Sequence, residues 1–224
     1  LQQVLNAIFY LLVTGCQWRN LPREYPNPQS VYYHYRKWCL DGTWQRINRA
    51  VGYLERRRLG RFARPSAAVM DSQSVKWGNN RSLKSFDGNK KVKGIKRHIV
   101  VDKNGFLLAV MVTLANIHDS KAVDLLMRTL CYFLSPVKVI LADGGYRGEI
   151  IDAVKKKFGY LIKVVMRSDD RKTGFKPIHK RWIVERTFSW FDNDRRLSRN
   201  YEFLMQTSEN MVKLSAIKLL LNKI

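Results

Sequence analysis

Apolar residues in the first 60 positions recur every three or four residues, which is the spacing that predicts helices. The first predicted helix has one apolar face, formed by Val4, Ile8, Leu11 and Leu12. A second helix is predicted from a cap at Ser30 to about Leu40, and a third from Thr43 to about Arg58. The second helix is basic and aromatic, so two interpretations stay open: a helix-turn-helix-like DNA reader, or a helical unit packed on the rest of the protein.

From Ala67 the pattern changes to short β-branched runs separated by helical ones. A first strand is predicted to end near Asp71, and two later runs flank Asn104-Gly105, a strong signal for a β-hairpin. Helices and strands then alternate up to a final helix. Three consecutive strands followed by this alternation predict a mixed α/β sheet with helices on both faces. We expect this α/β domain over residues 61–224, an all-helical domain over residues 1–60, and a basic linker at 56–66.

The charge of the chain indicates a polyanionic partner. Its 224 residues include 41 Lys and Arg but only 18 Asp and Glu, a net charge of +23 spread along the sequence. Nucleic acid is the favoured partner, because neutralising phosphates drives such binding. A ribosome-associated protein and a basic membrane-surface protein are the alternatives. The chain has no run of 18 uncharged apolar residues, so no membrane span is predicted, and its three widely spaced cysteines indicate neither a disulfide framework nor a zinc site.

Three acidic residues stand out in this basic chain because of where the predicted elements put them. Asp71 lies on the first strand, Asp143 follows a later buried strand, and Glu185 lies on a helix. Sites in open α/β sheets form at the carboxyl ends of strands. Carboxylates brought together there repel one another unless a cation lies between them. Mg²⁺ or Mn²⁺ prefers such oxygen ligands, and a pair of these ions supports phosphoryl transfer.

Four segments carry a resemblance to a known family. They are MDSQSVK, the stretch from GNKKVKG to ANIHDS, LADGGYRG and RWIVERTFSWFDNDRRLSRNYE. In this order they resemble the successive motifs of bacterial insertion-sequence transposases of the DDE type, in the group named for insertion sequence five. The region FYLLVTGCQWRNLPREYPNPQSVYYHYRKW resembles the N-terminal part of the same group. The resemblance runs from about Leu1 to Tyr201.

This resemblance implies a ribonuclease-H-like fold and specific roles for the three acids. Asp71 is expected to bridge two metal ions, Mg²⁺ or Mn²⁺, while Asp143 holds one of them and Glu185 the other. Water is expected to attack the DNA first, and a freed 3′-hydroxyl then attacks the target strand. The chain departs from the family at two positions: Ile178 stands where relatives often carry Tyr, and Asp192 stands where they often carry Lys.

Basic residues around Glu185 and Asp143 are the candidate contacts to DNA phosphates. They are Arg147, Arg181, Arg186, Arg195, Arg196 and Arg199. For Arg181 the alternative is a surface ion pair with Glu185, one helical turn away. For the run of Arg186, Arg195, Arg196 and Arg199 it is a solvated helix face. Tyr146 fits packing as well as DNA contact.

Two other polar features have competing interpretations. His118 and Asp119 precede a predicted helix, where a capped helix start is favoured over a metal or base role. The lysines between positions 84 and 96 fit either a loop that orders on DNA or a mobile solubilising loop.

The sequence therefore predicts a cytoplasmic, nucleoid-associated transposase that cleaves and joins double-stranded DNA. Its substrates would be terminal inverted repeats and target DNA. It is expected to act as a homodimer or larger assembly, since two DNA ends must be joined. The alternatives are a catalytically inactive or host-adopted DNA-binding relative, and a nuclease of the same fold without strand transfer.

Overall fold

The computed structural model describes residues 1–79, 81–133, 137–165 and 182–223. The described helices and strands follow in the order α1 (Gln2–Thr14), α2 (Pro28–Leu40), α3 (Thr43–Arg58), β1 (Ala67–Lys76), β2 (Ser85–Asp87), β3 (Val92–Asp102), β4 (Leu107–Leu114), α4 (Asp119–Phe133), β5 (Val139–Ala142), α5 (Ile150–Phe158), β6 (Leu161–Val164), α6 (Trp182–Asp192) and α7 (Met205–Leu221). No helix within these residues has the length and apolarity needed to cross a membrane.

The strands form one mixed sheet centred on β1 and β3. β3 pairs antiparallel with β1 on one side and with β4 on the other, where the short β2 continues the same edge. β1 pairs in parallel with β5, and β5 with β6. This strand arrangement, flanked by helices and preceded by N-terminal helices, confirms the predicted ribonuclease-H-like α/β fold.

The predicted β3–β4 hairpin is present. Its turn requires glycine at position 105, because neither the backbone conformation nor the surrounding atoms leave room for a side chain. Gly105 has a φ of +87°, which disfavours any residue with a side chain. A Cβ at this position would also lie 2.7 Å from Thr187 Oγ1 on α6. The hairpin turn is thus packed directly against the helix that carries Glu185.

Each face of the sheet packs against its own group of helices. Val69 and Ile99 belong to the face that packs against α1, α2, α6 and α7. Met70 and Val100, their neighbours in sequence, point the other way and pack against α4 and α5. This alternation follows from the two-residue period of side chains in a strand. It decides which face each polar residue of β1 occupies.

The N-terminal helices share a core with the sheet. The buried Tyr35 of α2 donates from its hydroxyl to Thr207 O on α7 at 2.8 Å. The buried Asn48 of α3 donates from Nδ2 to Leu107 O on β4 at 3.0 Å. These contacts favour a packed helical unit, while DNA reading by α2 and the boundary at residue 60 remain predictions.

The structure corrects several predicted boundaries. α2 begins at Pro28, because Asn27 Oδ1 accepts from Gln29 N at 2.9 Å and Pro is well suited to the first helical position; Ser30 lies inside the helix. β1 continues past Asp71 to Lys76. The lysine-rich stretch is not a loop throughout, since it contributes β2 and the first residues of β3. Pairing between strands overrides the polar composition there.

Candidate active site

Asp71 and Asp143 occupy matching positions on neighbouring parallel strands. The register pairs Val69 of β1 with Leu141 of β5, and the two acids follow two residues later on each chain segment. Asp143 keeps an extended backbone, with φ −85° and ψ −179°. Since side chains repeat every two residues, both acids belong to the sheet face of Val69 and Leu141, and adjacent strands lie about 4.8 Å apart. The structure therefore sets the two side by side.

Local hydrogen bonds hold both carboxylates. Asp71 Oδ1 accepts from the amide of Ser72 at 2.7 Å. Asp143 caps the short 3₁₀ turn Gly144–Tyr146, and its Oδ1 accepts from Gly145 N at 2.9 Å. Both acids are half-buried.

α6 runs along β1 in the same direction as the strand. Midway along the helix, Thr187 Oγ1 donates to Gly105 O at 3.1 Å, in the hairpin turn beside the first residues of β1. At its end, Asp192 accepts from Gln73 Nε2, in the second half of β1, at 3.1 and 3.3 Å. The helix therefore advances along the strand from its beginning towards Gln73.

This alignment brings Glu185 level with Asp71 along the strand. Glu185 lies two helical turns before Asp192 and so on the same side of α6, while Asp71 lies two residues before Gln73 on the same side of β1. Seven helical residues rise about 10 Å and two strand residues about 7 Å. Glu185, which is exposed, is therefore nearly level with Asp71 along the strand.

Asp192, where relatives often carry Lys, is part of a polar contact between α6 and the sheet. Besides Gln73, its charge acts on Arg97, the residue paired with Gln73 on β3. Burial lowers the pKa of the Arg97 guanidinium to about 10, and the negative charges of Asp192 and Glu202 oppose this shift. An acid at position 192 thus compensates a buried cation.

The donor set suits a hard divalent cation, although the acids do not enclose one as they stand. Across the four described stretches of chain, no three His, Cys, Asp or Glu side chains are close enough together to form a metal cage. Mg²⁺ commonly uses only one or two carboxylates, with water and substrate phosphates completing its shell. Space beside Asp143 is kept by Gly145, because a Cβ there would lie 3.1 Å from Asp143 Oδ1 and 3.8 Å from Asp119 Oδ2.

Tyr146 is a packing residue behind these acids. Its side chain is fully buried in the cluster that joins the sheet to α4 and α5. Burial raises the pKa of the Tyr146 hydroxyl well above its usual value, and the charges of Asp119, Asp71 and Asp143 add to this effect. A side-chain hydrogen bond to Ser72 acts in the opposite direction. Because the Tyr146 side chain is buried, it is not available for direct contact with DNA.

Asp119, at the start of α4, forms an ion pair that sequence patterns did not indicate. Its Oδ1 lies 3.1 Å from Lys96 Nζ and 3.9 Å from His98 Nδ1. His98 is fully buried, and burial lowers its pKa to about 4. Lys96, predicted to belong to a loop, is a buried residue of β3. The HDS motif predicted a helix start, but not the ion pair between Asp119 and Lys96.

The candidate DNA-binding arginines have different environments. Arg147, Arg195 and Arg199 are exposed. Arg186 lies between two indoles, 4.4 Å from the ring of Trp182 and 4.5 Å from that of Trp190, and donates to Asn104 O at 3.0 Å. Arg181 and Ile178 lie outside the described residues.

Arg196 has a different role from the predicted one. Its Nε donates to Glu202 Oε1 at 2.7 Å and its Nη1 to Cys16 O at 3.1 Å. Both side chains of this ion pair are less than a tenth exposed. This geometry assigns Arg196 a structural role, joining the 3₁₀ turn Arg195–Leu197 to the segment after α1, in place of the predicted phosphate contact.

A basic cleft of about 660 Å³ lies beside the first residues of β1. We use this name for the cavity lined by residues 56–67, except Arg58 and Leu59, and by 102–104. Arg57, Arg61, Arg64 and Lys103 are exposed at its walls. Asn104 connects the cleft to α6, because its carbonyl accepts from Arg186, the residue after Glu185.

Comparisons with known families match nearly the whole chain. The model of the transposase DDE domain matches residues 63–217. The model described as a putative transposase of the IS4/5 family matches residues 1–48.

Individual relatives share less than a third of their residues with this chain over the matched regions. A putative transposase for insertion sequence element IS402 from Burkholderia cepacia is 31% identical over 116 residues, which is 49% of this chain and 54% of that protein. The chain thus spans about half the length of this curated relative. Among solved structures, the piggyBac transposase synaptic complex with hairpin DNA shares 15% identity over 51% of this chain and 27% of that one, with a TM-score of 0.34. The Mos1 transposase paired-end complex with left transposon end shares 11% identity over 87% and 75%, with a TM-score of 0.30.

Both TM-scores are too low to establish a common fold, so the fold class rests on the strand order and helix placement. Family membership rests on the sequence models, of which the DDE domain alone covers more than half of the chain. The chain belongs to the DDE-domain transposases of the insertion-sequence type.

Proposed function

We propose that this protein cleaves DNA strands at the ends of its own mobile element and joins them to target DNA, with Asp71, Asp143 and Glu185 as the metal-binding residues. The observation that carries the proposal is the matching register of Asp71 and Asp143, on the sheet face covered by the helix of Glu185. Membership of the DDE transposase family supports it. The substrates are the terminal inverted repeats and a target duplex.

The carboxylates have distinct positions in this scheme. Two Mg²⁺ or Mn²⁺ ions, when bound, would activate the attacking oxygen and stabilise the leaving one. Asp71 would be the ligand shared by both ions, a role supported by Asp143 at the end of the neighbouring strand β5 and by α6, which carries Glu185 over the same sheet face. No side chain is needed as a nucleophile, because water supplies the oxygen for cleavage and the freed DNA 3′-hydroxyl supplies it for joining.

The assembly and location follow from the reaction. Two element ends must be held together while they are joined, so the active form is a homodimer or a larger assembly on DNA. Because its substrate is chromosomal DNA, the protein would act at the bacterial nucleoid in the cytoplasm.

Cleavage of end-containing duplexes tests the proposal. The protein is incubated with Mg²⁺ and labelled DNA carrying the inverted repeats that flank its gene, and the cut strands are resolved on a gel. We expect specific nicks at the repeat ends with wild-type protein, and a rate at least about a hundredfold lower for Glu185→Gln, because loss of groups that merely orient metal ligands already lowers activity 10–100-fold. Glu24→Gln, an exposed acid on the N-terminal segment, is the matched control.

A joining assay separates the proposal from its two alternatives. Pre-cut ends are mixed with a supercoiled target plasmid and Mg²⁺. Joined product supports a transposase, while cutting without joining indicates a nuclease. Sequence-specific binding without either reaction indicates an inactive relative.

The basic cleft supports DNA contact next to the start of α6. Replacing Arg57, Arg61 and Arg64 with Gln should flatten the salt dependence of DNA binding, by up to about 0.9 in slope for each phosphate that the protein no longer neutralises. Fluorescence anisotropy over a range of salt concentrations measures this slope. The matched control removes three exposed charges elsewhere, from Lys155, Lys156 and Lys163. An equal change of slope in both triple variants would show that the cleft contributes only net charge.

A further inference from the structure

We infer that Phe62 stacks on bases of the DNA bound in the basic cleft, and so supplies a contact that charge alone does not provide. This inference rests on the proposed function, because it takes DNA as the occupant of the cleft. Phe62 lines the cleft and is 91% exposed, more than any other large apolar side chain in the described part of the chain. Single exposed apolar residues are common on protein surfaces, so exposure alone assigns no role. The backbone and the charges around Phe62 supply the argument.

The loop that carries Phe62 is held by hydrogen bonds on both sides of the ring. It joins α3 to β1 and turns at Gly60, which has a φ of +65°. The carbonyl oxygen of Arg56 accepts from Arg61 N at 2.9 Å, and Arg56 Nε donates to Ala63 O at 2.7 Å. The residues immediately before and after Phe62 are thus bonded to the same buried arginine.

Arg56 is in turn attached to the sheet. Its Nη1 donates to Oδ2 of Asp102, the buried residue at the end of β3, at 2.9 Å. The backbone around Phe62 is therefore ordered in the free protein, and less conformational entropy is lost when the ring contacts a ligand. An exposed ring on a fixed loop is suited to insertion into a binding partner.

The basic side chains near Phe62 are of the type that binds phosphate most specifically. Residues 43–66 contain seven arginines, no lysine and one acid, Glu55. The charge of this acid is already paired, because Glu55 is buried and accepts from Arg58 at 2.6 and 2.7 Å. A guanidinium group can donate two parallel hydrogen bonds to one phosphate. The exposed Arg61 and Arg64, on either side of Phe62, can therefore hold a phosphate backbone beside the ring.

DNA provides both kinds of group that this surface can bind. Its phosphates pair with arginines, and its bases present flat faces that stack on an aromatic ring, at a step that the ring opens or at an unpaired base. Loss of one such stacking contact weakens binding by about tenfold. The salt dependence of binding comes from the phosphate contacts. Removing the ring should therefore change the affinity and leave the salt dependence as it is.

Binding of end-containing duplexes by Phe62→Ala tests this inference without any cleavage step. Fluorescence anisotropy should show binding about tenfold weaker than wild type at every salt concentration, with the wild-type salt slope. Phe62→Trp, which keeps an aromatic face, should bind as tightly as wild type. Phe203→Ala is the matched control, because Phe203 is 65% exposed and does not line the cleft. Equal affinity of Phe62→Ala and wild type would overturn the inference, and so would an equal loss in Phe203→Ala.

A fluorescent base reports the stacking itself. 2-Aminopurine replaces each adenine of the terminal repeat in turn, and fluorescence is read with saturating protein. We expect at least one position to change with wild type and not with Phe62→Ala, whose unfolding temperature should match wild type because the side chain is exposed. If wild type binds the repeats no better than unrelated DNA, the proposed function fails along with the inference. If it binds them specifically but no position depends on Phe62, the inference alone is refuted.

Discussion

Replacing Asp143 with Asn is expected to lower the rate of strand cleavage at element ends by at least about a hundredfold. The amide keeps the size of the side chain and can still accept from Gly145 N, which Asp143 caps at 2.9 Å. It lacks the negative charge that a divalent cation requires beside Asp71. The variant should therefore fold normally, bind DNA and fail in chemistry, with a loss of about 2.7 kcal/mol of transition-state stabilisation at a hundredfold.

Single-turnover cleavage of end-containing duplexes measures this effect, with thermal unfolding as the check on folding. Asp152→Asn is the matched control, because Asp152 is an exposed acid on α5, nine residues further along the chain. It should cleave at the wild-type rate. Cleavage by Asp143→Asn within about threefold of wild type would show that the reaction uses a different set of acids.

The relative position of Asp71 and Asp143 can be predicted from the sequence, because parallel strands bring their carboxyl ends to the same edge of the sheet. Once Asp71 is assigned to the first strand and Asp143 to the end of a later parallel strand, only the register remains to be fixed. The structure supplies it through the pairing of Val69 with Leu141. Glu185 was harder to place, because its position depends on the direction in which α6 crosses β1. That direction is set by contacts at the middle and the end of the helix, between residues far apart in the sequence.

The charged residues whose environment was predicted wrongly from the sequence have partners that are distant along the chain or buried with them. Lys96 lies in a polar, lysine-rich stretch that suggests a loop, yet it pairs with Asp119 across the sheet edge. Arg196 follows a catalytic-type motif that suggests phosphate contact, yet Glu202 and the carbonyl of Cys16 bind it in a buried position. Composition describes the average environment of a segment and does not report which single charge is buried with a partner.

The net charge of +23 and the proposed acidic site have complementary roles in binding DNA. Exposed arginines of the basic cleft lie beside the hairpin turn, and that turn is bonded to α6 next to Glu185. A DNA backbone bound in the cleft would therefore extend towards the acids. Positive charge attracts the duplex, and the acids then need cations before phosphates can approach.

Removing the Asp102 carboxylate should destabilise the protein by about 3–5 kcal/mol, the largest stability effect that we expect from a single substitution. Asp102 is fully buried at the end of β3. Its Oδ2 accepts from Arg56 Nη1 at 2.9 Å, and its Oδ1 accepts from the amides of Asn104 and Phe106 at 2.8 and 3.0 Å. Asp102→Ala leaves two turn amides without their acceptor and a buried guanidinium without its counter-charge.

Burying the intact pair of Arg56 and Asp102 is itself unfavourable. Burial raises the pKa of the Asp102 carboxyl, while Arg56 and the turn amides act in the opposite direction. Most of the loss in Asp102→Ala should therefore come from the stranded Arg56 charge, and the double variant Arg56→Met with Asp102→Ala should recover part of the stability. Urea unfolding gives the free energies, with Lys103→Ala, an exposed residue of the same turn, expected within about 0.5 kcal/mol of wild type. A loss below about 1 kcal/mol in Asp102→Ala would mean that α3 and the hairpin are held together by their apolar contacts alone.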